Sequence, residues 1–283
     1  NLTGGTGNIG LFAKGGNITT NGNISLTGGT GNMIAFSDSG KLITINGNVK
    51  VGNIASNLAI SNTIPLYVTG ANSKIEIAND KLEMNLTGDS IGVYSTTNGE
   101  FTANRTSLAH SGTGFGGGIV EPTAPVNIYV KGTTVSGVVK GVGLFVNNGG
   151  KINTKNTYVK VKDGSVGVAS IGNNSNIDIT NGIIDYEGSG YAVYSDGVGT
   201  IDLTDGEIIL RGKATALELD LSNPSSNPIT LSGTKIVVMS NDAVGVNLKN
   251  TGPLDISSLE TDIGTALGGV SIVAGTDGSQ VFD

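Results

Sequence analysis

The sequence predicts an all-β chain wound as a right-handed parallel β-helix, a solenoid of about ten three-strand rungs with a period near ~24–27 residues. Three observations carry this. The first is a short phrase that recurs ten times: a small residue, an aliphatic, then often an aromatic. It reads Gly10-Leu11-Phe12, Ile34-Ala35-Phe36, Pro65-Leu66-Tyr67, Gly92-Val93-Tyr94, Gly118-Ile119-Val120, Gly143-Leu144-Phe145, Gly167-Val168-Ala169, Ala192-Val193-Tyr194, Ala216-Leu217-Glu218 and Gly245-Val246-Asn247, at steps of 24 to 31 residues. The second is that the apolar segments alternate with period two, as half-buried strands do, and nothing sustains a helical period. The third is the punctuation. Gly, Asn, Asp and Ser bound each segment and supply tight turns at little steric cost.

Each rung opens with the phrase and continues with two further segments. The clearest copy runs Val166–Ser170, Asn176–Thr180 and Gly182–Tyr186, and the next runs Tyr191–Ser195, Thr200–Thr204 and Gly206–Arg211. The opening Leu2-Thr-Gly-Gly-Thr-Gly-Asn8 repeats as Leu26-Thr-Gly-Gly-Thr-Gly-Asn32. Three strands of about five residues with three tight turns fill one rung of about 20–27 residues. A single rung has too little apolar surface to fold alone, so rungs stack around a shared core. Ten rungs at a strand spacing of ~4.8 Å give a rod about 48 Å long. In the second segment Ile75/Ile77, Ile177/Ile179, Ile201/Leu203 and Leu254/Ile256 are expected inward, flanking outward Glu76, Asp178, Asp202 and Asp255. In the third, Val49/Val51, Leu82/Met84, Val159/Val161 and Ile236/Val238 form the matching column.

Composition agrees. The 46 glycines and 14% charged residues suit a turn-dense β protein, while the plentiful, periodic aliphatics oppose disorder. Cysteine is absent, which removes disulfides and thiolate metal sites and is compatible with folding after crossing a periplasm. No run of 18 apolar residues is present and no signal peptide is visible. Asn1 opens mid-rung and Asp283 is not a natural-looking stop, so the chain reads as one solenoid segment, 1–283, of a longer protein. A net charge of −7 argues against nucleic acid.

That charge is uneven. Between Pro122 and Lys162 there is no acid, but there are Lys131, Lys140, Lys151, Lys155, Lys160 and Lys162; from Gly164 to Asp220 nine acids face Arg211 and Lys213. On a rod these blocks become adjacent axial bands. The basic band is either a solvated face or a landing zone for an anionic partner. Lateral insertions are expected near 52–63, 111–125 and 221–228, where extra Gly, Ser, Asn and Pro lengthen the interval. The second carries Phe115 in a Gly-rich context and leads into the lysines. Six of the 13 aromatics, Phe12, Phe36, Tyr67, Tyr94, Phe145 and Tyr194, share one column. Strand alternation would turn them outward, where Tyr67 and Tyr94 could dock a sugar or protein. A bend at the preceding Gly would turn them inward as a packing ladder, and the inward arrangement is the plainer expectation.

Catalysis has one candidate. Asp178 and Asp202 share an outward column on successive rungs, about 5 Å apart, close to the carboxylate separation of a retaining glycosidase or a cation site. A solvated polar ladder with Asn153, Thr230 and Asp255 is the simpler reading. Only Arg105 and Arg211 are available as arginines, and His110, the single histidine, aligns with inward Met84. The Gly-Gly-Thr-Gly turns at 4–7 and 28–31 lack the Gly-Lys-Ser/Thr and the helix of a phosphate loop. No catalytic residue, metal ligand or cofactor is assigned.

The wording of the repeats, Gly92-Val-Tyr-Ser95 followed by Asn98-Gly-Glu-Phe-Thr102, resembles the passenger region of bacterial type V autotransporters. Thr30-Gly-Asn-Met-Ile-Ala-Phe-Ser37 and Gly190-Tyr-Ala-Val-Tyr-Ser195 are similar to the very large fusobacterial autotransporter adhesins. The resemblance covers nearly the whole chain and implies architecture more than ligand. It implies display at the bacterial surface, anchored through an outer-membrane barrel outside this segment, and attachment as a monomer to host-cell glycan or protein receptors or to partner bacteria. A polysaccharide-cleaving β-helix and a ligand-free spacer are the alternatives.

Overall fold

The computed structural model describes residues 1–53, 56–78, 82–103, 126–131, 141–162, 164–221, 228–249, 272–273 and 281–282, with the backbone alone at 126–131, 249 and the last two pairs. The described residues form a right-handed parallel β-helix of about eight turns. Three sheets run along it. The first has nine strands: Ile9–Ala13, Met33–Ser37, Leu66–Thr69, Ile91–Thr96, Val142–Asn147, Val166–Ile171, Gly190–Ser195, Ala214–Asp220 and Val244–Lys249. The second has eight, from Ile18–Thr20 to Ile229–Thr230, and the third runs from Ile24–Leu26 to Lys235–Val238. Every pairing in these sheets is parallel, and each strand pairs with its counterpart one turn away.

The interior follows the expected alternation. Ile75, Ile177 and Ile201 are fully buried, as are Val51, Met84 and Val161. One apolar cluster threads the rod from Ala13 to Leu248. Buried polar groups close the turns from inside: Ser95 and Ser195 each donate a hydrogen bond to the carbonyl four residues ahead, at 2.7 Å. At the corner between the second and third sheets, Asn156, Asn181 and Asp205 take φ of 47°, 54° and 53°, a conformation short polar side chains tolerate best after Gly. Val238 departs from its column, lying 47% exposed on the last strand of the third sheet.

Two register expectations change. Ile91–Thr96 pairs directly with Val142–Asn147, Tyr94 against Phe145. Gly118-Ile119-Val120 lies outside the described residues, and the first sheet runs on without it. The same rung takes its third strand from Val126–Lys131, which places Ile128 beside Met84. The alignment of His110 with Met84 is therefore overturned; His110 itself is outside the described residues, as are Arg105, Leu254, Asp255 and Ile256. The interval between Ala103 and Val126 is close to one period in length, and its Gly-rich punctuation imitates a rung.

The insertion near 52–63 is a side excursion from the third sheet. Val49–Val51 pairs with Leu82–Met84, the chain turns back on itself through an antiparallel bridge between Asn53 and Leu58, and Ile60–Ser61 rejoins the same neighbour at Leu86–Thr87. The intervals 111–125 and 222–227 are outside the described residues.

Candidate functional site

The ring-bearing column faces outward, which corrects the expectation that it packs inside. The cause lies in the phrase itself. Its first two residues both turn into the core: Gly92 and Val93 are buried, as are Gly143 and Leu144. Two successive inward positions need one small residue. A Cβ on Gly143 would come within 2.6 Å of the Gly167 carbonyl oxygen and 3.1 Å of Val159. The next residue then points to solvent. Five rings, Phe12, Phe36, Tyr67, Tyr94 and Phe145, stack at centroid spacings of 5.0, 5.0, 5.1 and 5.0 Å, with planes within 9–14° of parallel. Spacing and angle are those of offset stacking, set by the strand spacing beneath.

Three residues before the rings stands a second apolar column that sequence reasoning missed, with Ile91, Val142, Val166 and Tyr191 in register. Val142, Val166 and Ala169 form a small cluster apart from the main core, and Ile91, Phe145, Tyr191 and Tyr194 pack against it. The three-residue spacing of Ile91 from Tyr94 and Tyr191 from Tyr194 was the available signal. On the other side the face is polar. The Tyr94 hydroxyl donates to Asn147 Oδ1 at 3.1 Å, and Thr69 and Thr96 are paired neighbours. Burial raises the pKa of Tyr67 and a Thr69 hydrogen bond opposes it; the charges of Tyr94 and Asp38 raise it further. The ladder stops at Ala169, which is fully buried. Tyr194 instead tilts 40° against Tyr191, at 6.3 Å, and the column continues as Glu218 and Asn247, whose amide donates to Glu218 Oε2 at 2.8 Å.

The lysines divide between faces. Lys151 and Lys155 are exposed on the second sheet. Lys160 and Lys162 belong to the third. Lys131 occupies its strand between Thr87 and Lys162; Lys140 and Phe115 lie outside the described residues. Lys160 is only 2% exposed and in register with Asp185, so its ammonium is not presented to solvent. Burial pulls its pKa down to about 8, against the pull of Asp185. Asp185, also buried, accepts from Arg211 Nε at 2.8 Å and from the Tyr158 hydroxyl at 3.1 Å. Lys162 pairs with Glu187 at 2.8 Å. Where the basic band meets the acidic one, the two are stitched rung to rung.

Asp178 and Asp202 are neighbours in one column, between Asn153 and Thr230. Burial first, then the charge of Asp202, raises the Asp178 pKa, with Lys155 opposing. Asn176 donates to Asp202 Oδ2 at 2.8 Å. An open depression of about 460 Å³ lies at the following corner, lined by Asn181, Asp205, Glu207, Gly233 and Lys235 among others; neither aspartate lines it. No group of three or more His, Cys, Asp or Glu side chains suited to a metal occurs among the described residues.

No protein-family model, curated protein or solved structure matches the chain.

Proposed function

We propose that this chain is an adhesive rod, a segment of a surface-displayed passenger of the autotransporter type, which attaches to host cells or partner bacteria through its outer faces. The observation that supports this reading is the outward ladder of five rings beside a second apolar column on a continuous parallel sheet. A rigid sheet holds such a surface in place at no further ordering cost on binding. Apolar and aromatic groups repeated at rung spacing suit many weak contacts acting together. The residues that carry attachment are Phe36, Tyr67, Tyr94 and Phe145, with exposed Lys151 and Lys155 on a separate face. The test is a screen of the purified chain against glycans, host-cell surface proteins and whole bacteria. Saturable binding that falls at least ~10-fold in a Tyr67→Ala/Tyr94→Ala double variant, about 1.4 kcal/mol or more, supports the reading. Full binding by that variant would remove the ladder from it.

A second reading has its own observation. Stacked Asp178 and Asp202, one with a raised pKa, fit the acid and the base or nucleophile of a polysaccharide-cleaving β-helix. It predicts chain cleavage of a polysaccharide that Asp202→Asn abolishes. Polysaccharides left intact by the wild-type chain would dismiss it.

A further inference from the structure

We infer that the ladder is also a binding site for a small ligand of defined shape: an elongated, planar aromatic cation lying along the rod axis across three or more rings. This goes beyond the attachment reading and rests on the ladder's geometry and the charges beside it.

The stacking geometry gives the shape. Nearly parallel rings whose centroids are 5.0 Å apart cannot sit face over face, because carbon planes in contact are only about 3.5–4.0 Å apart. Each ring must slip roughly 3–3.5 Å past the next. The rings therefore overlap like shingles, and each leaves one edge and a strip of face uncovered. Phe36, Tyr67, Tyr94 and Phe145 are accordingly half-buried, neither sealed nor free. The uncovered strips form one ramp over four steps, about 20 Å long given the strand spacing.

The surroundings give the direction. Across the strands the apolar surface ends at Thr69, Thr96 and Asn147. Along the axis it continues from ring to ring, with Met33 and Ile91 alongside. A compact ligand would touch one or two strips; a long flat one gains offset stacking at each ring it crosses.

The electrostatics give the charge. Asp38 stands two residues after the Phe36 ring and its carboxylate is close enough to the Tyr67 hydroxyl to oppose its ionisation, which sets one acidic group beside the middle of the ladder. The chain as a whole carries −7. Exposed ring faces add an attraction for cations. Lys14 is exposed beside the first ring, so the favoured stretch is Phe36–Tyr67–Tyr94–Phe145, away from it.

Thioflavin T, a long flat monocation, is the probe. Titrated into the whole chain, it should give a saturable rise in fluorescence. Tyr67→Ala/Tyr94→Ala should weaken it at least ~10-fold, with circular dichroism and the melting midpoint confirming that the rod remains folded. Should alanine loosen the rod, Tyr67→Leu/Tyr94→Leu keeps the apolar bulk while removing the rings and carries the same expectation. Asp38→Asn should cost about threefold, and Congo red, of similar length but anionic, should bind more weakly than thioflavin T. Glu76→Gln, which removes one carboxylate from the second sheet, should bind as wild type does. No saturable fluorescence, or equal affinity in the ring-deficient variants, overturns the inference. A folded double variant that loses cell or receptor binding while wild type never binds the dye would leave the attachment reading standing and end this one. Dye binding without any cellular ligand would do the reverse.

Discussion

Up to Phe145, the outer column of the first sheet is a stack of rings; past it, the same column holds Ala169, Tyr194, Glu218 and Asn247. In this column the second half ends on a paired amide and carboxylate, Asn247 with Glu218, while the other sheets carry paired charges in both halves, Lys50 with Glu83 and Lys74 with Glu100 in the first, Lys162 with Glu187 and Arg211 with Asp185 in the second. Inside, nothing changes. Leu66, Val93 and Leu144 in the first half and Val168, Val193 and Leu217 in the second are alike fully buried. The backbone spacing is thus supported by two outer chemistries over one interior. An identical residue on the next strand stacks well when it is a ring and badly when it is a charge, so an aromatic column can repeat itself while a charged column gains from alternating sign.

The largest effect should come from the shared interior, and it should ignore the boundary. Ile179→Asp buries an unpaired charge, costing on the order of 4 kcal/mol or more, and Leu66→Asp in the ladder half should do the same. Asp178→Ser, one residue from Ile179 but outward, should stay within about 0.5 kcal/mol. Thermal melting of the three variants checks the register directly; equal midpoints would break it. Next is Arg211→Ala, which takes from buried Asp185 its hydrogen-bonded guanidinium and leaves Lys160 as the neighbouring cation, and should cost about 2 kcal/mol. It has no counterpart among the exposed pairs. Tyr94→Ala removes two stacking contacts on a half-exposed face and should cost about 1–2 kcal/mol, with little dependence on salt. Lys162→Ala, at a partly exposed pair, should cost under about 0.5 kcal/mol, and less still at high salt.

A pH titration sharpens the contrast between halves. Lys160 has a folded-state pKa of about 8, below its ordinary 10.5. Between those values the unfolded chain holds more protons than the folded one. This residue's penalty is therefore full below pH 8 and is relieved as pH rises towards 10.5. Lys160→Met should flatten the rise in stability over that window, read from denaturant midpoints at pH 7.5 and 10. Among the described residues of the ladder half no lysine is buried as Lys160 is.

Much of this could be read before any coordinates. The period, the three segments per rung and the inward sets Ile75/Ile77, Ile177/Ile179 and Val159/Val161 were all legible, because each depends on residues two apart along the chain. The Asp178–Asp202 column was legible for the same reason, given two adjacent rungs of equal length. The direction of the rings was open to two readings: alternation from inward Val93 turns Tyr94 outward, as found, and the irregularity at Gly92 falls before that step and does not reverse it. The Lys160–Asp185–Arg211–Tyr158 group was out of reach, since its members come from three rungs and only their register brings them together.

The sequence by itself determined the architecture: a parallel β-helix, its period, and an interior of stacked Ile, Val and Leu. These follow from local alternation and turn chemistry, which act over a few residues and are repeated often enough to average out error. Only the tertiary structure decided which rung follows which across residues 104–125, which way the ring column faces, and whether a lysine is presented to solvent or held beside a buried aspartate. Those outcomes depend on how each rung closes. A stretch nearly one period long reads as a rung to its own sequence neighbours, and only the direct pairing of Tyr94 with Phe145 shows which strands adjoin in the first sheet.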